Sequence, residues 1–374
     1  MTQPTRPDVS IVSSGHDVAD ARLHREVEAA VAAGLDVEVL GLGSASDGPA
    51  GAAVTTRPRP RGVAARLALA LAQPWRARGR VLLTLDPDVV PSALVAARLR
   101  RRRLVVDVHE DYVALTRDRG WARGAVGRAA RAGVRGVLAA ARRADLVVVA
   151  DEHVPPRTAP ARLVVRNATA GTYLPAPTDP GPVPRALYVG DVRRSRGLFV
   201  MLAAIEAAPG WELDVVGPVA PADQAELGTW VATSPAVARV RFHGRRPPEQ
   251  AWALARGAWV GLSLLDDTPA FRDAVPSKLY EYLAAGLAVA TTPLPRAAAI
   301  VTESAAGVVV PDADALSATL RGWAEQPASL LPLRAAAVTW SEAALAGPSG
   351  YDVLAQRLRA LAGAAPQRST VEVE

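Results

Sequence analysis

VPSKLYEYLAAGLAVATT, residues 275–292, holds one helix and one strand joined by a glycine. The Pro276–Ser277 pair reads as a helix start with Ser277 as N-cap. Tyr280, Leu283 and Ala284 then follow helical spacing onto a core. Gly286 stops the helix, and LAVATT at 287–292 follows as a short apolar run. Apolar residues in continuous rather than alternating order mark a strand covered on both faces, as in a parallel sheet.

The same unit repeats outward from that stretch. In the second half the runs are ALYVG (186–190), ELDVVG (212–217), VRFHG (240–244), WVGLSLL (259–265) and GVVVP (307–311). In the first half they are VSIV (9–12), VEVLGL (37–42), VLLTL (81–85), LVVDV (104–108), LVVVA (146–150) and LVV (163–165). Helical segments separate them, such as ARLHREVEAAVAAG, which ends on Gly34. Alternating strand and helix predict an α/β protein with doubly wound, Rossmann-like sheets.

Residues 171–185, GTYLPAPTDPGPVPR, carry five prolines and no apolar period, which is linker chemistry. The expected organisation is a first domain over 1–172, a proline-rich linker over 173–185 and a second domain over 186–346. An amphipathic closing helix follows over 347–363, with a frayed tail over 364–374. Two such domains would face a cleft with the C-terminal ends of their strands.

The chain has 374 residues, half of them apolar, five histidines and no cysteine, which excludes disulfides, thiolate catalysis and thiolate zinc sites. Its net charge of +6 is unevenly spread. Residues 1–172 carry 26 arginines against 17 acids, and residues 173–374 carry 17 cations against 20 acids. A basic first half suits an anionic partner: nucleic acid, an anionic membrane surface or a phosphorylated substrate. The start MTQPTRPDVS is polar, unlike a signal peptide, and no window approaches 18 uninterrupted apolar residues. A cytoplasmic protein is expected.

Several chemistries lack their residues. SSGHDVAD (13–20) and GLGSASDG (41–48) miss the glycine spacing of a dinucleotide fingerprint and of a serine nucleophile elbow. No Walker loop is present, and the histidines show no metal-ligand spacing; HED at 109–111 is a weak divalent-cation motif. The remaining constellation surrounds the opening stretch. Lys278 is the only lysine among 43 cations, and it falls in the first turn of the helix, between Asp273 and Glu281. A cation at that end opposes the helix dipole by about 0.3–1 kcal/mol, so it suits either an anion held there with the free backbone N–H groups or a pairing with the two acids. Arg193, Arg194 and Arg196 follow a strand in LYVGDVRRSRGL (187–198), where guanidinium groups and helix-end amides bind phosphates.

With these residues in place the chain resembles a retaining GT-B glycosyltransferase, similar to glycosyltransferase family 4. The most specific likeness is the pair of acids, Asp273 and Glu281, with Gly286 and a strand after them. LVVDVHEDY (104–112) resembles the family's D-x-H-E segment, LVVRNATAGTYLPAP the segment that ends the first domain, and LYVGDVRRSRGL the diphosphate-gripping turn. HDVADARLHREVEAAVAAGLDVEVL resembles the first strand-helix-strand unit, and VTWSEAAL the C-terminal region. Asp273 stands where glutamate is usual, Asp191 where a cation is frequent, Arg196 where lysine is common, and Ala168 after Asn167 replaces a glycine.

The resemblance implies transfer of a hexose, with retention, from a nucleotide diphosphate sugar to an acceptor hydroxyl. No cofactor and no metal is implied; the nucleotide sugar is the co-substrate. Glu281 is expected to bind ribose hydroxyls, Asp273 the donor sugar, and His109 to orient that sugar. Arg193, Arg196, Lys278 and Gly15 are the expected diphosphate ligands. The first domain is the acceptor side in this family, and residues 119–144 put Arg128, Arg131, Arg135 and Arg142 on one helical face and Val126, Ala130, Val137 and Ala141 on another. A glycan or lipid-linked acceptor and peripheral attachment to anionic lipid at the inner face of the plasma membrane are the corresponding expectations. Competing readings are a GT-B nucleotide-sugar epimerase and a non-catalytic basic binding protein of the same fold. Nucleic acid is not expected as a partner, since no basic motif is interleaved with aromatics.

Overall fold

The structure is a computed structural model that describes residues 6–117, 122–166 and 173–363; all structural statements concern these residues. Along the chain run β1 (Val9–Asp17), α1 (Ala21–Ala32), β2 (Val37–Leu42), β3 (Ala52–Arg57), α2 (Val63–Arg76), β4 (Val81–Thr84), α3 (Val90–Leu99), β5 (Arg103–Val108), α4 (Tyr112–Arg117), α5 (Gly124–Ala141), β6 (Leu146–Val149) and β7 (Arg162–Val164). Then come β8 (Arg185–Val189), α6 (Leu198–Ala207), β9 (Glu212–Val216), α7 (Gln224–Thr233), β10 (Val240–Gly244), α8 (Pro248–Trp252), β11 (Val260–Ser263), α9 (Ser277–Ala284) and β12 (Ala288–Thr291). The chain continues through α10 (Pro295–Ser304), β13 (Gly307–Val309), α11 (Ala313–Glu325) and α12 (Leu330–Ala344) to α13 (Gly350–Ala362).

Two compact units result, residues 1–166 with 348–374, and residues 167–347. The first holds a parallel sheet in the order β3-β2-β1-β4-β5-β6-β7, the second one in the order β10-β9-β8-β11-β12-β13. Both are doubly wound, as the continuous apolar runs predict, because each central strand is buried on both faces. β3 is the strand that the apolar runs do not announce. It lies at the sheet edge with burial that alternates residue by residue, and its sequence AAVTTR has few large apolar side chains.

In the first unit, α1 and α13 cover one face of the sheet through Leu23, Val27, Leu354 and Leu358, while α2, α3 and α5 contribute Ala70, Val90, Ala93 and Leu138 to the other. A capping box of Ser349 and Asp352 starts α13, and the Arg22 guanidinium donates to the Tyr351 hydroxyl at 3.2 Å. In the second unit Trp211, Leu202 and Ile205 fill one side of the sheet, Trp252, Tyr282 and Leu283 the other. Each such large side chain fully removed from water contributes about 1.5–3 kcal/mol. The proline-rich residues 173–185 are fixed to this unit: Trp259 donates to Gly181 O at 2.8 Å, and Arg334 to Thr178 O at 2.5 Å.

Three local expectations are corrected. Pro276 (ψ 137) is the N-cap of α9, so Ser277 is its first helical residue and its side chain makes no capping bond. The face of α9 turned to the core is Leu279, Tyr282 and Leu283, whereas Tyr280 is half-buried and stacks on Trp340 with ring centroids 6.2 Å apart. On α5, Val126 is 62% exposed, and the helix rests instead on Gly127, Leu138 and Ala141. Arg128 and Arg135 are exposed there, but Arg131 is half-buried and folds back to donate to Ala122 O at 3.4 Å.

Candidate functional site

In an open parallel sheet the strand order reverses at one point, and the C-terminal ends of the strands there form the crevice that takes ligands. In the second unit that point lies between β8 and β11. After β8 the chain turns at Gly190 (φ 133) and again at Gly197 (φ 85), two conformations that side chains with a Cβ rarely adopt. A Cβ on Gly197 would meet Leu264 at 2.5 Å, so this turn must lie flat against the end of β11. Between the glycines, Arg194 is directed away, with its guanidinium on Glu226 and over the Phe199 ring, and its N–H donated to Asp223. Arg193 donates to Asp191 at 2.7 Å, and Arg196 lies over Phe271 at 5.5 Å.

Lys278, in the first turn of α9, points into this turn. It is 5% exposed, its Nζ lies 3.6 Å from the centroid of the Tyr188 ring, and a Cβ on Gly190 would come within 3.2 Å of it. No described group accepts a hydrogen bond from the ammonium. Neither Asp273 nor Glu281 forms an ion pair with it, so the pairing alternative falls. Burial, then the like charge of Arg196, hold the Lys278 pKa well below the ordinary lysine value. A buried ammonium with no hydrogen-bonded anion, set against helix N–H groups and a second cation, is an anion site. One helical turn further, Glu281 is 3% exposed and accepts from the Tyr173 hydroxyl at 2.5 Å. Asp273 is exposed in the loop ahead of α9, and its carbonyl accepts from Arg296 at 2.6 Å.

In the first unit the reversal falls between β1 and β4. Here Asp86, buried after β4, accepts from the Ser14 and Gly15 N–H groups at 2.9 and 3.0 Å and from the Ser13 hydroxyl at 2.5 Å. The Gly15 N–H, expected to face a phosphate, is thereby taken by Asp86. His16 lies 3.1 Å from Asp86 through Nδ1 and meets His109 Nε2 with its own Nε2 at 3.0 Å. His109 Nδ1 in turn is 3.6 Å from Asp107, which the Arg22 guanidinium clamps at 2.5 and 2.8 Å. The result is a chain Asp86–His16–His109–Asp107, flanked by the Tyr112 hydroxyl at 3.4 Å from His109.

Burial alone would lower the His16 pKa, but the Asp86 charge and hydrogen bond outweigh it and raise it to about 9. Burial would raise Asp86 too, yet the His16 charge leads the terms that hold it far below the usual carboxylate range. His16 is therefore an imidazolium whose Nε2–H donates, and His109 Nε2 accepts. Burial, and then the charge of Asp107, push the Glu26 carboxyl well above its ordinary value. The fold thus pairs two histidines whose sequence spacing gave no sign of it. Asp111 of the HED stretch is occupied as a helix cap, accepting from the Val113 and Ala114 N–H groups at 3.0 and 2.9 Å. No cluster of three or more metal-ligating side chains occurs among the described residues, and no described helix is long and apolar enough to cross a membrane.

The structure thus gathers Lys278, Arg193, Arg196 and Glu281 in one unit, and His109 with Gly15 in the other. Asn167 and Ala168 lie outside the described residues. The residues that sequence reasoning missed are His16, Asp86, Tyr188 and Tyr173. His16 follows Gly15 in the stretch just after the predicted strand at 9–12, a usable signal; nothing local marks the two tyrosines.

Residues 183–326 match the family model described as "Glycosyl transferases group 1". Over nearly its full length the chain is similar in structure to sucrose-phosphate synthase from Thermosynechococcus elongatus, with 18% identity, 96% of this chain and 100% of that chain covered, and a TM-score of 0.68. HepE of Anabaena in complex with UDP-glucose is similar at 13% identity over 94% of this chain and 98% of that one, TM-score 0.66. WaaG, a glycosyltransferase involved in lipopolysaccharide biosynthesis, is similar at 15% identity over 95% and 100%, TM-score 0.60. No match is found among curated protein sequences.

Proposed function

Because the chain has the GT-B fold and its residues 183–326 carry the group 1 glycosyltransferase pattern, we propose that it transfers a hexose, with retention, from a nucleotide diphosphate sugar to a hydroxyl of a glycan or lipid-linked acceptor. The observation that carries this reading is Lys278: an ammonium buried at a helix N-terminus with no described hydrogen-bond partner. A diphosphate supplies the missing anion. Two of the similar structures were solved with UDP or UDP-glucose, so a uridine donor is the first to try.

When the bond from the anomeric carbon to the diphosphate breaks, its electron pair goes to the phosphate oxygen. Lys278, Arg196 and the N–H groups of α9 would meet that charge, a term worth several kcal/mol when donors are already oriented. The acceptor hydroxyl would form the new bond on the face the diphosphate leaves, giving its proton to the departing phosphate oxygen. Glu281, held by Tyr173, would accept from the ribose hydroxyls, and Asp273 from the donor sugar. His109, its ring held between His16 and Asp107, would orient the sugar.

Incubation with UDP-, GDP- and ADP-hexoses, following nucleoside diphosphate release and thermal stabilisation, tests the reading. Stabilisation by one nucleoside diphosphate that is lost on Lys278→Ala supports it. Failure of every nucleotide to bind, or binding indifferent to Lys278, rejects it.

A further inference from the structure

We propose that the α2–α3 face of the first unit docks on an anionic lipid bilayer. On α2, Val63, Leu67, Leu71 and Trp75 recur at every fourth position and are 77%, 49%, 59% and 37% exposed. On the adjoining α3, Val95 and Leu99 are 51% and 69% exposed. The two helices are tied by Trp75, which donates to Ser92 at 3.1 Å, and by Ser92, which donates to Leu71 O at 2.7 Å. Residues 63–68 are exposed around the whole helix, and the buried residues of α2 are Ala70, Gln73 and Pro74. The first turns of α2 therefore stand out from the core, where a contiguous apolar stripe marks a docking surface.

Charge decides what docks. Residues 57–80 contain seven arginines and no acid, and residues 90–103 contain five and no acid. Arg57, Arg61, Arg76, Arg98 and Arg101 are exposed and make no ion pair with a described acid. A second copy of the chain would set two such rims against each other. Anionic headgroups satisfy the arginines while the Val, Leu and Trp side chains enter the acyl boundary, at about 1 kcal/mol per basic residue near the surface. Trp75, with Arg100 stacked 5.4 Å from its ring, has the amphipathic character suited to the headgroup level. The closing helix α13 covers the opposite side of the sheet and leaves this face open.

The same helix reaches inward. Arg66 of α2 donates to Asp88 at 2.7 Å and lies 3.3 Å from Asp86, the carboxylate that holds His16. Lipid bound along α2 therefore lies one side chain from the imidazole pair. This surface differs from the α5 arginine face read from the sequence, and it stands whether or not the second unit binds a nucleotide sugar.

The test uses the full chain with vesicles of phosphatidylcholine alone and of phosphatidylcholine mixed with phosphatidylglycerol, followed by co-sedimentation at low and physiological salt. The chain is expected on the mixed vesicles, less so as salt rises. Leu67→Glu with Leu71→Glu should lower partitioning by at least about tenfold at an unchanged melting temperature, since both side chains are exposed. Should that pair lower the melting temperature, Leu67→Gln with Leu71→Gln replaces it. Arg128→Ala with Arg135→Ala on α5 should leave partitioning unchanged. Equal partitioning on both vesicles, retention by the Leu variants, or loss in the α5 variant would each overturn the proposal. A dimer in sedimentation equilibrium that the Leu variants split would overturn it as well, by giving the face to a second copy.

Discussion

Replacing Lys278 by methionine should raise the stability of the ligand-free protein and weaken nucleotide binding, an opposition of signs that few other roles predict. In the free protein the ammonium is buried with no acceptor. An unsatisfied buried polar group costs about 1–3 kcal/mol. Its position over the Tyr188 ring returns about 0.5–2 kcal/mol, and the repulsion from Arg196 takes some of that back. Methionine keeps the stem and removes the charge, for a net gain of about 1 kcal/mol. In a unit of this size that is a rise of about 2–4 °C in melting temperature. With a diphosphate bound, the same change removes one partner of a buried charged pair, about 2–4 kcal/mol, or a 30- to 1,000-fold weaker Kd. Scanning calorimetry without ligand and titration calorimetry with UDP measure both. The pH dependence adds a third reading. Because burial lowers the folded pKa of Lys278, its penalty is full below that pKa and disappears as pH rises toward the ordinary value of about 10.4. The melting gap between variant and wild type should therefore narrow with rising pH. A variant that melts lower than wild type and binds UDP equally well would refute the reasoning, since it would make Lys278 a structural cation.

Other outcomes follow from the same geometry. His16, raised to about 9, stabilises the fold fully below about pH 6.5 and loses that contribution as pH climbs through 9. Denaturant titrations of wild type and His16→Gln should converge by about 2–3 kcal/mol between those limits. Gly190→Ala places a Cβ at a φ of 133 and 3.2 Å from Lys278 Nζ, so a stability loss of about 1–3 kcal/mol in urea is expected, together with weaker UDP binding. Tyr173→Phe removes the hydrogen bond to Glu281; UDP affinity should fall by about three- to tenfold, while affinity for inorganic pyrophosphate, which has no ribose, stays the same.

The sheets were legible because their strands are buried on both faces and written as unbroken apolar runs. β3 escaped because an edge strand needs apolar residues on only one side and fills them with Ala, Val and Thr. Ser277 was read as a cap by residue type, but Pro276, with an extended ψ of 137, takes the boundary one position earlier. The singular Lys278 drew notice by rarity, yet its lack of an acceptor depends on Tyr188 and Gly190, about ninety residues away, which no local pattern encodes. His16 and His109, 93 residues apart, meet only because β1, β4 and β5 are neighbours in the sheet. Spacing arguments see ligands on one helix, and these two belong to different strand ends.

The helix α13 carries a consequence for how the chain matures. The second unit is one uninterrupted segment, 167–347, whereas the first is written in two pieces with the second between them. Leu354, Ala355 and Leu358 complete the same core as Leu23 and Val27. During synthesis only α1 covers that face of the first sheet until the whole second unit has left the ribosome and α13 arrives. The usual order, in which N-terminal domains finish first, is thus inverted: the middle of the gene product has all of its residues before its beginning does.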